Sequence, residues 1–374
     1  MISRQDIQRL LHRPDGGPPI LSVFLDMSVN SENKRTYDVF LNQRRAQYVE
    51  LRSDRENHHR EALGAAFERV QNWIDESFDE ANKGVAIYTE IGGDWLEGIQ
   101  FPIPVRNRTA IAPWPVIGPL AQVVETHRRH GVIVVDREHL TMLAIYLGTP
   151  LIRHEVETQP YPAPHDVQAG GYSAKDYQKR KAEEVRHFFK EFALEVAEFD
   201  RRYTTDDLVL LGTEDNTSRF MEFLPAELQA KVVHVGPAPV VAGNAEILER
   251  VAPIFQEQVE REVAGAVGVL RDRIANGHLA VAGVSGTLQQ LQEGKLDTLV
   301  VSRDLEHEGA RCLRCGFYLA RFDSACPYCG GQLEVGVDVA EAMVRMAEEQ
   351  EISVAFADPE SVVDIGGVGG LLKF

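Results

Sequence analysis

The four cysteines of this chain all fall within eighteen residues, as two Cys-x-x-Cys pairs: Cys312-Leu-Arg-Cys315 and, ten residues on, Cys326-Pro-Tyr-Cys329. Two such knuckles bring four thiolates to where a tetrahedral zinc with Zn–S bonds of ~2.3 Å can be closed, and the short spacer makes a ribbon hairpin. Gly316 and the pair Gly330-Gly331 follow the knuckles, where the backbone must turn tightly around a metal. Four thiolates leave no open coordination position, so the zinc expected here is structural. Disulfides are the alternative, and a reducing compartment with no other cysteine argues against them.

A chain of 374 residues amounts to two or three domains at the usual ~150 residues each. Its 39 basic and 57 acidic residues leave a net charge of −18. That excess excludes a protein that binds nucleic acid over its whole surface, because neutralising phosphates takes clustered Lys and Arg. It leaves room for a local patch. Between residues 170 and 190 the basic residues Lys175, Lys179, Arg180, Lys181, Arg186 and Lys190 face only Asp176, Glu183 and Glu184, a local charge of +3. By charge alone this is as well read as a solvated helix face. No apolar run approaches the ~18–20 residues of a membrane span. The opening Met1-Ile-Ser-Arg-Gln-Asp6 lacks the apolar core of a signal peptide, so a cytoplasmic protein without membrane contact is expected.

Hydrophobic periodicity divides the chain in three. Residues 1–128 read as an N-terminal α/β (α+β) domain: a short helix over 4–11, a buried strand over 20–25, and a helix carrying Tyr37, Phe40, Leu41, Tyr48 and Leu51. A second helix follows with Leu63, Phe67, Val70, Trp73 and Ile74, then strands over 84–88 and 95–101 and a Pro-rich stretch over 101–119. A helix over 120–129 connects to the middle domain, 129–240. There the strands 131–136 and 140–147 form a hairpin, and 149–171 reads as a loop rich in Pro, His and Gly. The helix 174–199 carries Tyr177, Val185, Phe188, Phe189, Phe192 and Val196 on its inner face. Strands at 207–212 and 231–235 around a helix at 217–223 make an α/β layer. The third domain, 241–374, opens with a helix from 244 to about 274. A helix with Ser285 as N-cap, a strand over 298–302, the zinc ribbon at 310–332, a helix over 337–349 and a strand over 352–355 follow. The chain closes on the glycine-rich Gly366–Phe374 segment.

Three features in this order carry a resemblance: the hairpin leading to Gly170-Gly-Tyr-Ser-Ala174 and a basic helix, the α/β third domain interrupted by a four-cysteine ribbon, and the glycine-rich ending. Together the chain resembles the archaeal and eukaryotic class-1 peptide-chain release factors and Pelota. It is most similar to the bacterial branch of that lineage, which includes the ribosome-hibernation factor Balon. The resemblance is good from about residue 129 onward and weak over 1–128. It implies a three-domain factor for the ribosomal A site, monomeric away from the ribosome. Its middle domain would be ribonuclease-H-like, and its third L7Ae-like with the inserted zinc ribbon, often docked on a translational GTPase such as elongation factor Tu.

Release factors place a Gly-Gly-Gln loop in the peptidyl-transferase centre, where it helps water attack the peptidyl-tRNA ester. The matching positions here are Gly170, Gly171 and Tyr172: the glycines are kept and the glutamine is not. Two glycines let the backbone approach RNA closely, and the third backbone N–H still serves as an oxyanion donor. A phenol, however, crowds the space where water must sit, and it can stack on a nucleobase. Binding is therefore favoured over hydrolysis. The resemblance assigns Lys175, Lys179, Arg180, Lys181 and Arg186 to ribosomal RNA phosphates, contacts that position without reading sequence. The lineage's stop-codon motifs, Asn-Ile-Lys-Ser and Tyr-x-Cys-x-x-x-Phe, are missing from the first domain, so codon reading is not expected. Lys34, Arg35, Arg44 and Arg45 read as a solvated helix face rather than a decoding contact. Three functions stay open: a non-catalytic A-site factor of idle or stalled ribosomes, a peptidyl-tRNA hydrolase that rescues stalled ribosomes, and an RNA- or protein-binding adaptor that kept the fold and left the ribosome. Loss of one thiolate, as in Cys315→Ser, should loosen the third domain locally while the first two stay folded.

Overall fold

The computed structural model describes residues 2–13, 17–50, 57–158, 174–237 and 243–373. Among the described residues the architecture is mixed α/β, with four sheets. The chain separates into two compact units: one combines residues 1–126 with 261–374, and the other is His127–Glu260.

In the N-terminal part of the first unit the elements are α1 (Arg4–Leu11), β1 (Ile20–Asp26), α2 (Tyr37–Glu50), α3 (Asn57–Ser77), β2 (Gly84–Glu90), β3 (Leu96–Phe101), β4 (Arg108–Ala112) and α4 (Gly118–Thr126). The apolar run of β1, interrupted only at Ser22, fits its place inside the sheet, ordered β3-β2-β1-β4, because both of its faces are covered. On one face, Leu63, Phe67, Val70 and Ile74 of α3, spaced by three and four, pack on Leu21, Val23 and Leu25. On the other, Ser22 Oγ accepts from Val116 N–H (3.1 Å) and the Tyr88 hydroxyl donates to Val116 O (2.9 Å), pinning the segment before α4. The Pro-rich stretch, read from sequence without a strand, contains β4. It is an antiparallel edge strand on β1 whose five residues are all half-buried, so it leaves no apolar run to read.

The second unit holds β5 (His130–Val135), β6 (His139–Tyr146), β7 (Thr149–Glu157), α5 (Ala174–Tyr203), β8 (Asp207–Gly212), α6 (Glu214–Met221), α7 (Ala226–Lys231), β9 (Val232–Gly236) and the first half of α8 (Asn244–Ala275). Its sheet runs β7-β6-β5-β8-β9, with β6 antiparallel to both neighbours and β5, β8 and β9 parallel. This is the ribonuclease-H-like arrangement that the resemblance implies. Alternate residues of β5 and β8 point to opposite faces. Ile133, Val135, Leu208 and Leu210 meet Phe188, Phe189, Phe192 and Val196 of α5. Val132, Val134, Val209 and Leu211 meet Ile247, Val251 and Phe255 of α8. Burial on both faces is why these strands read as continuous hydrophobic runs; each large side chain so buried contributes roughly 1.5–3 kcal/mol. The expected loop over 149–171 is corrected in its first part: residues 149–157 form β7, an edge strand of the sheet. It starts Thr-Pro and exposes most of its side chains, so neither composition nor alternation betrays it. The helix expected at 217–223 starts three residues earlier, at Glu214, because Thr213 caps it by accepting from Asn216 N–H.

The C-terminal part of the first unit adds β10 (Ala280–Ala282), α9 (Val284–Gln292), β11 (Leu296–Ser302), β12 (Glu308–Cys312), β13 (Tyr318–Leu319), β14 (Leu333–Asp338), α10 (Val339–Glu349), β15 (Ser353–Ala357), α11 (Pro359–Val362), a 3₁₀ turn over Val363–Ile365, and β16 (Val368–Leu372). One sheet is ordered β10-β16-β11-β15 and a second, small one β13-β12-β14. The glycine-rich ending becomes an inner strand, β16. A Cβ at Gly369 would stand 2.7 Å from Leu270 Cδ2, and one at Gly370 2.8 Å from Leu296 Cδ2, so glycine lets both leucines pack on the strand. Ser285 is not the N-cap of α9. Gly283, at φ +77°, takes that place, with its N–H donating to Val368 O (2.8 Å).

Candidate functional site

The cysteine ribbon hangs from β12 and returns through β13 and β14. Cys312 ends β12, and its N–H donates to Phe317 O (2.8 Å) while Gly316 N–H donates to Cys312 O (2.9 Å). Across the ribbon, Cys326 N–H reaches Gly331 O (2.9 Å) and Gly330 N–H reaches Cys326 O (2.8 Å). Gly316 and Gly330 close these turns at φ +78° and +69°, a region glycine enters without a Cβ clash. The four Sγ atoms lie within 4.8 Å of one another, with Cys312–Cys329 at 3.4 Å and Cys315–Cys326 at 3.7 Å. A tetrahedron of ~2.3 Å bonds has edges of about 3.8 Å, so this donor set fits a thiophilic tetrahedral ion.

The surroundings suit a thiolate at Cys312 and oppose one at Cys315. Arg314 and Cys315 both direct backbone N–H groups at Cys312 Sγ, at 3.4 Å. The Cys315 N–H, with help from that of Arg314, holds the Cys312 thiol down at about 6, against an ordinary 9. At Cys315 a hydrogen bond from the Phe317 N–H pulls downward, but desolvation and the three neighbouring sulfurs outweigh it and push that thiol up to about 12. Four sulfurs so close cannot all ionise without a cation among them. A Cβ at Gly331 would lie 3.1 and 3.2 Å from the sulfurs of Cys312 and Cys329, so a glycine there keeps the cluster closed. Arg314 reaches over to Cys329 O (3.2 Å), a tie between the knuckles that spacing alone did not indicate.

The second candidate is the arm of the middle unit. Gly170, Gly171 and Tyr172 lie outside the described residues. Lys175, Lys179, Arg180 and Lys181 belong to the first turns of α5, and Arg186 lies further along it, exposed, as is Lys190. Helical register sets positions 175, 179, 186 and 190 along one stripe, whereas 180 and 181 fall to either side of it. The inner stripe of the same helix, from Phe188 to Phe199, anchors it on the sheet.

The basic residues of the N-terminal segment are engaged within their own fold. Lys34 pairs with Glu32 (3.2 Å), Arg45 with Glu68 (2.7 Å), and Arg44 donates to Gln47 (2.8 Å). Arg35 donates to Met27 O (3.0 Å) and lies over Phe78. Their arrangement is that of a solvated face with local partners. Sequence reading did not find Trp114, which is buried against the ribbon's Tyr318 and Arg311. Its setting between Pro113 and Pro115 was the one available signal.

Residues 115–256 match the model of the family described as bacterial archaeo-eukaryotic release factor family 10. The chain is 25% identical over 296 residues to a peptide chain release factor subunit 1 of Pyrococcus abyssi, covering 69% of each chain. It is 23% identical over 291 residues to the same protein of Thermococcus onnurineus, again 69% of each. Among solved structures it is similar to archaeal Pelota, described as ribosome-bound with ABCE1, at 15% identity and a TM-score of 0.42 over 100% of this chain and 94% of that one. These matches are all to translation factors of the release-factor type. More narrowly, the match over residues 115–256 is to family 10 of the bacterial branch of the archaeo-eukaryotic release factors, consistent with the release factor and Pelota lineage.

Proposed function

We propose that this chain is a ribosome-binding translation factor that occupies the A site of idle or stalled ribosomes, in hibernation or rescue, without reading stop codons. The observation that carries this reading is the family match over 115–256, the segment in which Tyr172 stands where the lineage's glutamine belongs. On this reading Gly170 and Gly171 carry the loop tip against RNA, and Tyr172 stacks on a base instead of admitting water. Lys175, Lys179, Arg180, Lys181 and Arg186 neutralise ribosomal RNA phosphates behind it. Cys312, Cys315, Cys326 and Cys329 hold a structural zinc, which supplies closure of the ribbon and no chemistry. The C-terminal domain, taken as 241–374, docks on a translational GTPase, elongation factor Tu being the first to try. The protein works in the cytoplasm and is a monomer off the ribosome.

Co-sedimentation with ribosomes of its own species tests the reading: the protein should travel with idle 70S particles at low salt and be released as salt rises. A protein that stays at the top of the gradient at every salt concentration sinks it. Idle ribosomes against ribosomes stalled on truncated messages then separate hibernation from rescue. The retained glycine pair favours a second reading, hydrolysis of peptidyl-tRNA. Purified protein would then free the peptide from stalled complexes and Gly171→Ala would slow it; release no faster than buffer eliminates this reading.

A further inference from the structure

Trp114 links the cysteine ribbon to the N-terminal segment. Its indole is buried, edge-on to Tyr318 of β13 with ring centroids 6.2 Å apart and planes at 79°. Arg311 of β12 lies over both rings, 5.1 Å from the indole and 5.7 Å from the phenol, and Arg345 of α10 lies 5.7 Å from the indole. Arg311 immediately precedes Cys312, and Tyr318 is its cross-strand partner. The two residues that grip the indole from the ribbon are therefore placed by the knuckle around Cys312. On the far side, Val116 is tied to Ser22 and Tyr88 of the N-terminal sheet. Next to it, the N–H groups of Ile117 (2.6 Å) and Gly118 (3.1 Å) donate to Glu341 of α10.

We propose that metal loading of the ribbon sets how firmly residues 1–126 are held against residues 261–374, with Trp114 as the side chain that transmits it. The proposal rests on the reading of the four cysteines as a metal site. β13 has two residues and two paired positions, Ala310 with Leu319 and Arg311 with Tyr318. Gln292 of α9 bonds the N–H and C=O of Tyr318 (2.7 and 3.1 Å) and β12 also pairs with β14, so the ribbon has some hold of its own; closure of the metal site adds the folding free energy that fixes the knuckle beside Arg311. With the metal in place, Arg311 and Tyr318 are fixed and the indole is held by an edge contact and a cation at its face. Without it, both grips loosen together. Arg345 still lies over the indole from the C-terminal side, and α4 and α10 are freer to part.

Hydrogen exchange on the full chain, before and after metal is stripped with a chelator and with metal content measured in both samples, tests this. Stripping should speed exchange in β12–β14 and, by about tenfold or more, in α4 and α10, while the sheet of β5, β6 and β8 is unchanged. A second arm uses Trp114→Leu, which should retain its metal yet show fast exchange in α4 and α10 already, with little added by stripping. Change confined to residues 308–338 overturns the coupling, as does a rise that includes β5 and β8, which is global unfolding. A purified protein without metal overturns the metal reading itself, and is told apart from either result by the metal content.

Discussion

Glu341 is buried on α10 with its carboxylate against the first N–H groups of α4, a favourable place for negative charge at a helix N-terminus. Burial nevertheless wins. It raises the carboxyl above its ordinary 4.5 despite the opposing pull of Arg108 and of the Ile117 and Gly118 N–H groups. Glu348 is raised too, by burial first and by Glu125 second. A carboxyl raised on folding binds its proton more tightly in the native state, so its contribution is fully present below the unfolded value and is lost as pH rises through the folded one. Stability should therefore decline with pH above about 4.5, and Glu341→Gln should make that decline shallower in denaturant titrations run across this window, with Glu348 supplying the remainder. An unchanged slope would show that Glu341 keeps its ordinary affinity for protons. Tyr172 allows a second test at this scale. If its ring stacks on a base, Tyr172→Ala should weaken ribosome binding by about 1–3 kcal/mol whereas Tyr172→Phe should not; equal losses in the two variants would assign the contact to the hydroxyl.

On the proposed reading the basic start of α5 works electrostatically, and salt dependence is its signature. Replacing Lys175, Lys179 and Arg186 together by Gln should lower the slope of log affinity against log salt by about 2, at roughly 0.7–0.9 per phosphate contact. A weaker complex with the same slope would show that these residues do not meet phosphates. The ribbon makes its own prediction: one zinc per chain by metal analysis, and in Cys315→Ser a ribbon whose exchange protection falls while β5 and β8 keep theirs. The sequence made some of these elements plain and hid others for physical reasons. α3 and α5 were visible because 63, 67, 70, 74 and 188, 192, 196 mark one helical face, and β5 and β8 because burial on both faces leaves apolar runs at 132–135 and 208–211. β4 and β7 are edge strands with half-covered or exposed side chains, and β16 hides in glycines that exist to let Leu270 and Leu296 close on it. The cysteine cluster was legible because its donors are neighbours in sequence. The grip of Arg311 and Tyr318 on Trp114 was not, since it depends on segments that only folding brings together.

At the scale of the molecule, the termini belong to one compact unit and His127–Glu260 to another. The joint within the first unit is built on helix ends. Glu341 meets the N-terminus of α4, while the Arg345 guanidinium donates to Leu11 O (2.9 Å) at the C-terminus of α1 and pairs with Glu349 (3.0 Å). Each charge faces the end of a helix dipole that it complements. Gln8 adds a bond to Glu348 O (3.3 Å), Arg108 pairs with Asp338 (2.7 Å), and Arg4 pairs with Glu125 between α1 and α4. Through Glu341 and Arg345, segments at opposite ends of the sequence share buried polar contacts that neither satisfies alone, and such contacts are costly to break one side at a time. The N- and C-terminal segments should then unfold in a single step, with the middle unit free to follow a separate one. Arg345→Ala leaves the Leu11 carbonyl without its donor, strips a cation from Trp114 and should lower the stability of the joint step by about 2–4 kcal/mol. Pulse-labelling hydrogen exchange along a denaturant gradient reads this directly: β1 and β11 should lose protection at one shared midpoint that moves down in the variant, while the midpoint of β5 and β8 stays where it was. Separate midpoints for β1 and β11 in the unaltered chain would mean that the two ends fold independently and that α10 merely touches both.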